Sequence, residues 1–183
     1  MKLFGEFSRI YYKRTNKCRR GGQELAVKVE KSMISELLDE YADMVIRIAY
    51  QNMKNYMDAE DVCQDVFIKL VEKERSFDSE EHIKAWLIRV TINVCKDYLK
   101  SGWFKKKAEY NGNEYGYLEA GDDVLEEVMN LPVKYRNVIY LHYYEGYSVE
   151  EIGEIIGRNK NTVKTWLKRG RNELKLNITG GEI

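Results

Sequence analysis

A short segment near the C-terminal end concentrates the side chains best suited to bind nucleic acid. Residues 158–175 carry seven basic and one acidic side chain, a net charge of +6, although the chain as a whole has 30 of each and is neutral. Lysine and arginine bind phosphates and guanine, asparagine pairs with adenine, and threonine contacts the thymine methyl. An ordinary solvated basic helix is the alternative, but this concentration of charge favours a DNA-binding surface. The candidate residues are Asn159, Lys160, Asn161, Thr162, Lys164, Thr165, Lys168, Arg169 and Arg171.

Two helices are needed to position these side chains, and local signals predict both. Ser148 and Glu151 form a capping-box pattern that starts a helix, and Gly157 stands where a left-handed residue would end it. Asn159 is a suitable cap for the next helix. Two helices joined by a short glycine-containing turn, with the second helix basic on its free face, form a helix-turn-helix.

A second polar stripe lies on the predicted helix 80–100, opposite its apolar side. Arg89, Asn93 and Lys96 recur at helical spacing, and Phe77 and Trp86 lie nearby. Cations that follow the backbone and aromatic rings that stack on bases are typical of sites for separated DNA strands. Packing into the core is the favoured alternative for Trp86, and Phe77 fits a core position equally well.

An acidic polar face on the predicted helix 58–73 is the third candidate surface. Asp61, Gln64 and Asp65 are spaced to share one side of that helix and could dock a basic partner, although spacing alone favours simple solvation. The two histidines, His82 and His142, form no metal-ligand pair, and no glycine-rich phosphate loop follows a strand pattern. We therefore expect no enzymatic activity, no metal, no cofactor and no small-molecule substrate.

Hydrophobic periodicity predicts an all-α protein with two small helical domains joined by a flexible linker, the second domain being the helix-turn-helix. The first domain contains helices 34–55, 58–73 (with Asp58 as its cap) and 80–100, and the second begins with helices 122–130 and 132–145. Residues 105–121 have no apolar period and are predicted to be the linker. Residues 1–31, with a net charge of +6, form a basic extension. Three widely spaced cysteines and the absence of a signal or membrane-spanning segment predict a reduced, cytoplasmic protein.

Three of these segments together resemble the sigma-70 family, and the chain length resembles its extracytoplasmic-function (ECF) group. They are DAEDVCQDVFIKL (58–70), WLIRVTINVCKDYLK (86–100) and the run from Leu131 to Lys175, in the order and spacing of that family. The resemblance implies a sigma region 2 domain at 32–104 and a region 4 domain at 122–183. Two departures stand out: Trp166 replaces a basic or small polar residue, and Gly153 replaces the usual alanine.

The resemblance also implies function and partners. Such a protein binds core RNA polymerase, through the clamp coiled coil of the β′ subunit and through the β subunit, and directs it to promoters. Asp61, Gln64 and Asp65 would dock the clamp. Phe77, Arg89, Asn93 and Lys96 would recognise and open the −10 element, and the helix-turn-helix would read the −35 element. Members are commonly held by an anti-sigma factor, often at the membrane.

The distance between the two promoter elements constrains the mechanism. The family separates them by about 25 base pairs, or roughly 85 Å of duplex, whereas a compact chain of this length has a radius of gyration of about 16 Å. One rigid globule cannot reach both elements, so we expect polymerase to set the spacing and the isolated protein to bind promoters poorly. The competing hypothesis is a stand-alone helix-turn-helix transcriptional regulator, which would not need the 58–100 block.

Overall fold

The computed structural model describes residues 27–28, 33–72, 76–101 and 123–178, and the predicted linker and most of the N-terminal extension lie outside them. The described elements, in chain order, are β1 (Val27–Lys28), α1 (Ile34–Met53), α2 (Tyr56–Glu72), β2 (Ser76–Phe77), α3 (Glu80–Lys100), α4 (Asp123–Asn130), α5 (Val133–Tyr143), α6 (Val149–Ile156) and α7 (Lys160–Ile178). The all-α prediction is confirmed. Within the described residues the two short strands β1 and β2 pair in antiparallel fashion, with Val27 opposite Phe77.

Helices α1, α2 and α3 pack against one another and form the N-terminal helical group. Their apolar stripes meet in a core that includes Val45, Ile48, Val62, Val66 and Leu87, all fully buried. The prediction that Asp58 caps α2 is wrong: the helix begins at Tyr56, and the amide of Asp58 donates to Asn55 Oδ1 at 3.0 Å. Both residues are good caps by type, and the earlier one is used.

Helices α4 to α7 form the C-terminal group, in which α7 contacts all the others. Close approach of α7 to α5 depends on a residue without a side chain: a Cβ on Gly170 would lie 3.2 Å from both Tyr135 and Ile139. Val163, Leu167 and Leu174 are buried on the same side of α7. This packing leaves the opposite side of α7 exposed.

The two helical groups also contact each other, α1 against α5 and α3 against α6. Their buried apolar side chains form one continuous cluster, and polar side chains bridge the boundary. Asn52 on α1 and Asn137 on α5 exchange two amide hydrogen bonds of 2.9 and 3.1 Å. The sequence predicted two small helical domains on a flexible linker, and in this conformation the two groups lie in contact with each other.

Candidate nucleic-acid interface

The helix-turn-helix is built as its sequence predicts. The Ser148 hydroxyl accepts a hydrogen bond from the amide of Glu151 (3.2 Å), and the Glu151 carboxylate accepts one from the amide of Ser148 (2.8 Å). Hydrogen bonding of the Ser148 side chain, and to a smaller extent of the Ser148 amide, to the Glu151 carboxylate lowers the pKa of Glu151. Gly157 ends α6 in the left-handed conformation, with φ of 65°. Asn159 Oδ1 then accepts from the amide of Thr162 at 2.8 Å and starts α7.

The turn between α6 and α7 is tight enough to explain why residue 153 is glycine. A Cβ at Gly153 would lie 2.6 Å from the carbonyl oxygen of Arg158, closer than side-chain atoms approach. Residue 166, the other departure from the family pattern, has a structural role: Trp166 is half-buried and packs against the core. Gly153 therefore permits the close approach of the turn, and Trp166 contributes to the packing of the core.

The exposed side of α7 carries most of the predicted DNA-binding residues. Those exposed to solvent are Asn159, Lys160, Asn161, Lys164, Thr165, Lys168, Arg169 and Arg171. Thr162 is half-buried, and its hydroxyl bonds to Asn159, so these two side chains serve the cap as well. The Thr165 hydroxyl donates to the carbonyl of Asn161. The resulting surface is a basic helix face that is exposed from its first turns onward, as in the second helix of a helix-turn-helix.

The residues of the predicted polar stripe on α3 differ in what they contact. Asn93 and Lys96 are exposed. Arg89 is exposed as well, but it also reaches α6: its Nε donates to the carbonyl of Ile155 at 2.8 Å, and its Nη2 donates to the carbonyl of Glu154. These carbonyls belong to the last turn of α6, where a cation is favoured by the helix dipole. In this conformation the exposed Arg89 side chain uses its Nε and Nη2 on α6.

Phe77 is buried and is not exposed to solvent. Only 1% of its surface is exposed, and its ring packs edge-on against Trp86 and His82, with centroid distances of 5.7 and 5.4 Å. It occupies the core position that the sequence left open as an alternative. Phe77 would have to leave this cluster before it could contact a base.

The acidic face of α2 lies on the N-terminal group, away from the aromatic cluster. Asp61 and Gln64 are exposed, and Asp65 is half-buried, accepting a hydrogen bond from the Tyr98 hydroxyl at 3.1 Å. Burial and this bond raise the pKa of Tyr98. The face therefore offers a rigid carboxylate beside two adaptable polar side chains.

Two absences hold for the part of the chain that the structure describes. No group of three or more histidine, cysteine or acidic side chains there could hold a metal ion. No helix there has the length and apolarity to cross a membrane. His142, the more buried histidine, contacts the carbonyl of Tyr147 at 2.9 Å and supports the turn before α6.

The polar residues between the two helical groups were not predicted from the sequence. Asn52, Arg136 and Asn137 are buried, and Arg136 donates to the carbonyls of Gln51 (2.5 Å) and Leu131 (3.0 Å). Their positions could have indicated that they are buried, because these polar residues occur beside apolar positions on the core faces of their helices. Such residues are buried only when they find partners.

Comparisons with known proteins identify both helical groups. The family model for Sigma-70 region 2 matches residues 37–104, and that for Sigma-70, region 4 matches residues 122–174. The ECF RNA polymerase sigma factor SigW of Bacillus subtilis (strain 168) is 30% identical over 172 residues, which cover 81% of this chain and 90% of SigW. The RNA polymerase sigma factor SigV of the same organism is 28% identical over 160 residues, covering 84% and 95% respectively.

Solved structures give the same result for the fold. The sigma factor RpoE, in complex with the anti-sigma factor NepR from Bartonella quintana, matches with a TM-score of 0.65 and 25% identity, over 82% of this chain and 98% of RpoE. CnrH, in complex with the cytosolic domain of CnrY, matches with a TM-score of 0.61 at 20% identity, over 84% and 92%. The latter likeness shows the fold alone.

Proposed function

This chain belongs to the ECF group of the sigma-70 family and directs promoter-specific transcription initiation, and from that premise we propose which of its surfaces performs each step. The observation that carries the proposal is the basic, solvent-exposed side of α7, held by a helix-turn-helix of regular geometry. Surfaces of this kind read base edges with their first turns and bind phosphates further along the helix.

The −35 element is assigned to α7. Lys160, Asn161, Lys164 and Thr165 occupy the first turns and are positioned for base edges, where lysine favours guanine and asparagine favours adenine. Lys168, Arg169 and Arg171 follow and are assigned to phosphates. Asn159 and Thr162 shape the start of the helix and contact DNA secondarily, because their side chains are already bonded to each other.

The −10 element is assigned to the α3 stripe and the adjoining aromatic cluster. Asn93 and Lys96 are exposed and could contact a separated strand without rearrangement. Arg89 is exposed too, although it is bonded to α6, and Phe77 could join them only after it leaves the core. This assignment therefore requires a conformational change on promoter binding.

Core polymerase is assigned to the α2 face. Asp61, Gln64 and Asp65 present carboxylates and an amide to a basic partner, for which the clamp coiled coil of the β′ subunit is the proposed structure. The β subunit would hold the C-terminal group near the −35 element. Polymerase would then fix the separation that the free chain lacks.

An anti-sigma factor is the proposed regulatory partner. The matched RpoE structure is a complex with such a factor. In this chain Leu38, Ile68 and Val71 on α1 and α2 leave between 37% and 51% of their surfaces exposed, which offers apolar area for a partner. We expect this sigma factor to act in the cytoplasm. It would be held at the membrane only if its anti-sigma partner is anchored there.

Run-off transcription on a randomised promoter library, with purified core polymerase and the full chain, tests the proposal. We expect transcripts from a limited set of promoters that share two elements, and none without the chain. The same library, used in a binding assay without polymerase, separates the alternatives. Sub-micromolar, sequence-selective binding of a homodimer to a palindrome would favour the stand-alone regulator instead.

A further inference from the structure

A second basic segment lies outside every surface assigned so far. Residues 9–20 carry six basic side chains and no acidic one, a net charge of +6 in 12 residues, whereas the basic stretch 158–175 needs 18 residues to reach the same charge. A run of cations this dense in a neutral chain is typical of segments that bind nucleic acid. The six residues are Arg9, Lys13, Arg14, Lys17, Arg19 and Arg20.

Pairing of β1 with β2 fixes the point at which this segment joins the folded body. The strands are antiparallel, with Val27 opposite Phe77 and Lys28 opposite Ser76. Phe77 is the end of β2 that leads into α3, so the chain that precedes Val27 continues from the α3 side of this strand pair. β2 is itself anchored, because the Phe77 ring is buried against Trp86 of α3. The basic segment is therefore tethered beside the beginning of α3.

We propose that residues 9–20 form a third DNA-binding segment, which binds the phosphate backbone beside the −10 element. The inference rests on the proposed function, because it takes the exposed stripe of α3 as the surface that contacts this element. Seven residues separate Arg20 from Val27 and allow at most about 25 Å between them. Arg89 and Asn93 lie about 14 and 20 Å along α3 from its first residue. The segment can therefore reach phosphates next to those that the stripe contacts.

Carboxylates of the protein itself are the competing partners for these cations. Asp78, Glu80 and Glu81 are exposed and follow β2 directly in the sequence, and Oδ2 of Asp78 already lies 3.2 Å from Nδ1 of His82. Ion pairs at an exposed surface are weak because water and salt screen them. Duplex DNA, in contrast, carries one phosphate for about every 1.7 Å of its axis. Six cations therefore find more partners on DNA than on the protein surface beside them.

Removal of the charge tests the proposal in the full chain. A variant with all six basic residues changed to glutamine is compared with wild type in holoenzyme titrations of a promoter fragment at several salt concentrations. We expect half of the six cations or more to contact phosphates, which lowers the slope of log K against log salt by about 2.7 or more. Between 0.05 and 0.2 M salt the wild-type holoenzyme should then lose about 40-fold more affinity than the variant does. Changing only the four arginines to lysine keeps the charge, so this matched control should retain the wild-type slope.

Cys18 lies within the segment and allows its position on the promoter to be mapped. Cys63 and Cys95 are buried, and burial raises the pKa of the Cys63 thiol to about 11 and that of Cys95 to about 12, so both react slowly with thiol reagents. An iron–EDTA group is attached to Cys18, and the holoenzyme is bound to promoter DNA. Nine residues separate Cys18 from Val27 and span at most about 30 Å, the length of about nine base pairs. We expect strand cleavage within that distance of the −10 element and none with Cys18→Ser.

The outcomes separate failure of this inference from failure of the proposed function. An unchanged salt slope in the glutamine variant, or no cleavage near the −10 element, would overturn the DNA-binding role of the segment. Weaker binding of core polymerase with an unchanged slope would assign the segment to the protein partner and would also overturn it. Because the cleavage assay needs none of the glutamine substitutions, it decides the matter if that variant does not fold. In each case run-off transcripts from wild type would leave the proposed function intact, whereas their absence would refute that function and the role of the segment with it.

Discussion

Replacing two lysines on α7 should reduce promoter affinity by an amount that depends on salt in a calculable way. Lys164 and Lys168 are exposed, lie one helical turn apart on the same face, and have no carboxylate within 4 Å among the described residues. Both are therefore available to phosphates. We expect Lys164→Ala/Lys168→Ala to leave the fold and the affinity for core polymerase unchanged, because neither side chain is buried or near the α2 face.

The magnitude follows from counterion release. Each phosphate contact contributes about 0.9 to the slope of log K against log salt, so the double variant should have a slope smaller by about 1.8. Between 0.05 and 0.2 M salt the wild-type holoenzyme should then lose about 12-fold more promoter affinity than the variant does. At 0.15 M the variant should bind about 30-fold more weakly, which is about 2 kcal/mol.

The assay is a titration of a promoter fragment with reconstituted holoenzyme at several salt concentrations. Lys134→Ala, an exposed lysine of α5 outside the basic face, is the matched control and should keep the wild-type slope. A double variant with the wild-type slope would show that α7 does not contact phosphates through this face. An equal loss at every salt concentration would instead indicate damage to the fold or to polymerase binding.

Four further predictions concern the docking face and the helix ends. Asp61→Ala/Gln64→Ala should weaken pull-down of core polymerase by tenfold or more while thermal unfolding stays as in wild type, because both side chains are exposed. Gly157→Ala should lower the free energy of unfolding in urea by about 1–2 kcal/mol, since its φ of 65° strains any residue with a Cβ. Ser148→Ala should cost about 1 kcal/mol by loss of the cap. The advantage of wild type over Glu151→Gln should be present above about pH 5 and vanish as pH falls through the lowered pKa of Glu151, as urea titrations at several pH values would show; a constant difference would contradict this.

The helix-turn-helix was predictable because its signals are local. The Ser148 capping box, the left-handed Gly157 and the Asn159 cap each act within three or four residues, so the sequence specifies them without knowledge of the rest of the fold. The cap of α2 shows the limit of such signals. Asn55 and Asp58 are both good cap residues by type, and the folded protein uses Asn55.

Contacts between distant segments could not be predicted in this way. The apolar period of α3 indicates which side of the helix is buried, but it does not say what lies near its polar side. Arg89 bonds to carbonyls 65 and 66 residues further along the chain. The ring of Phe77 packs against Trp86, which lies in α3, the helix that follows it.

The amino-acid sequence by itself determined the helices, the caps of the helix-turn-helix, the basic side of α7 and the family, because periodicity, capping and charge density are properties of neighbouring residues. Only the tertiary structure decided that the two helical groups close on each other and that Arg89 serves α6. The physical reason is that a side chain with several good hydrogen-bonding options adopts the one that the packing of distant helices brings within reach.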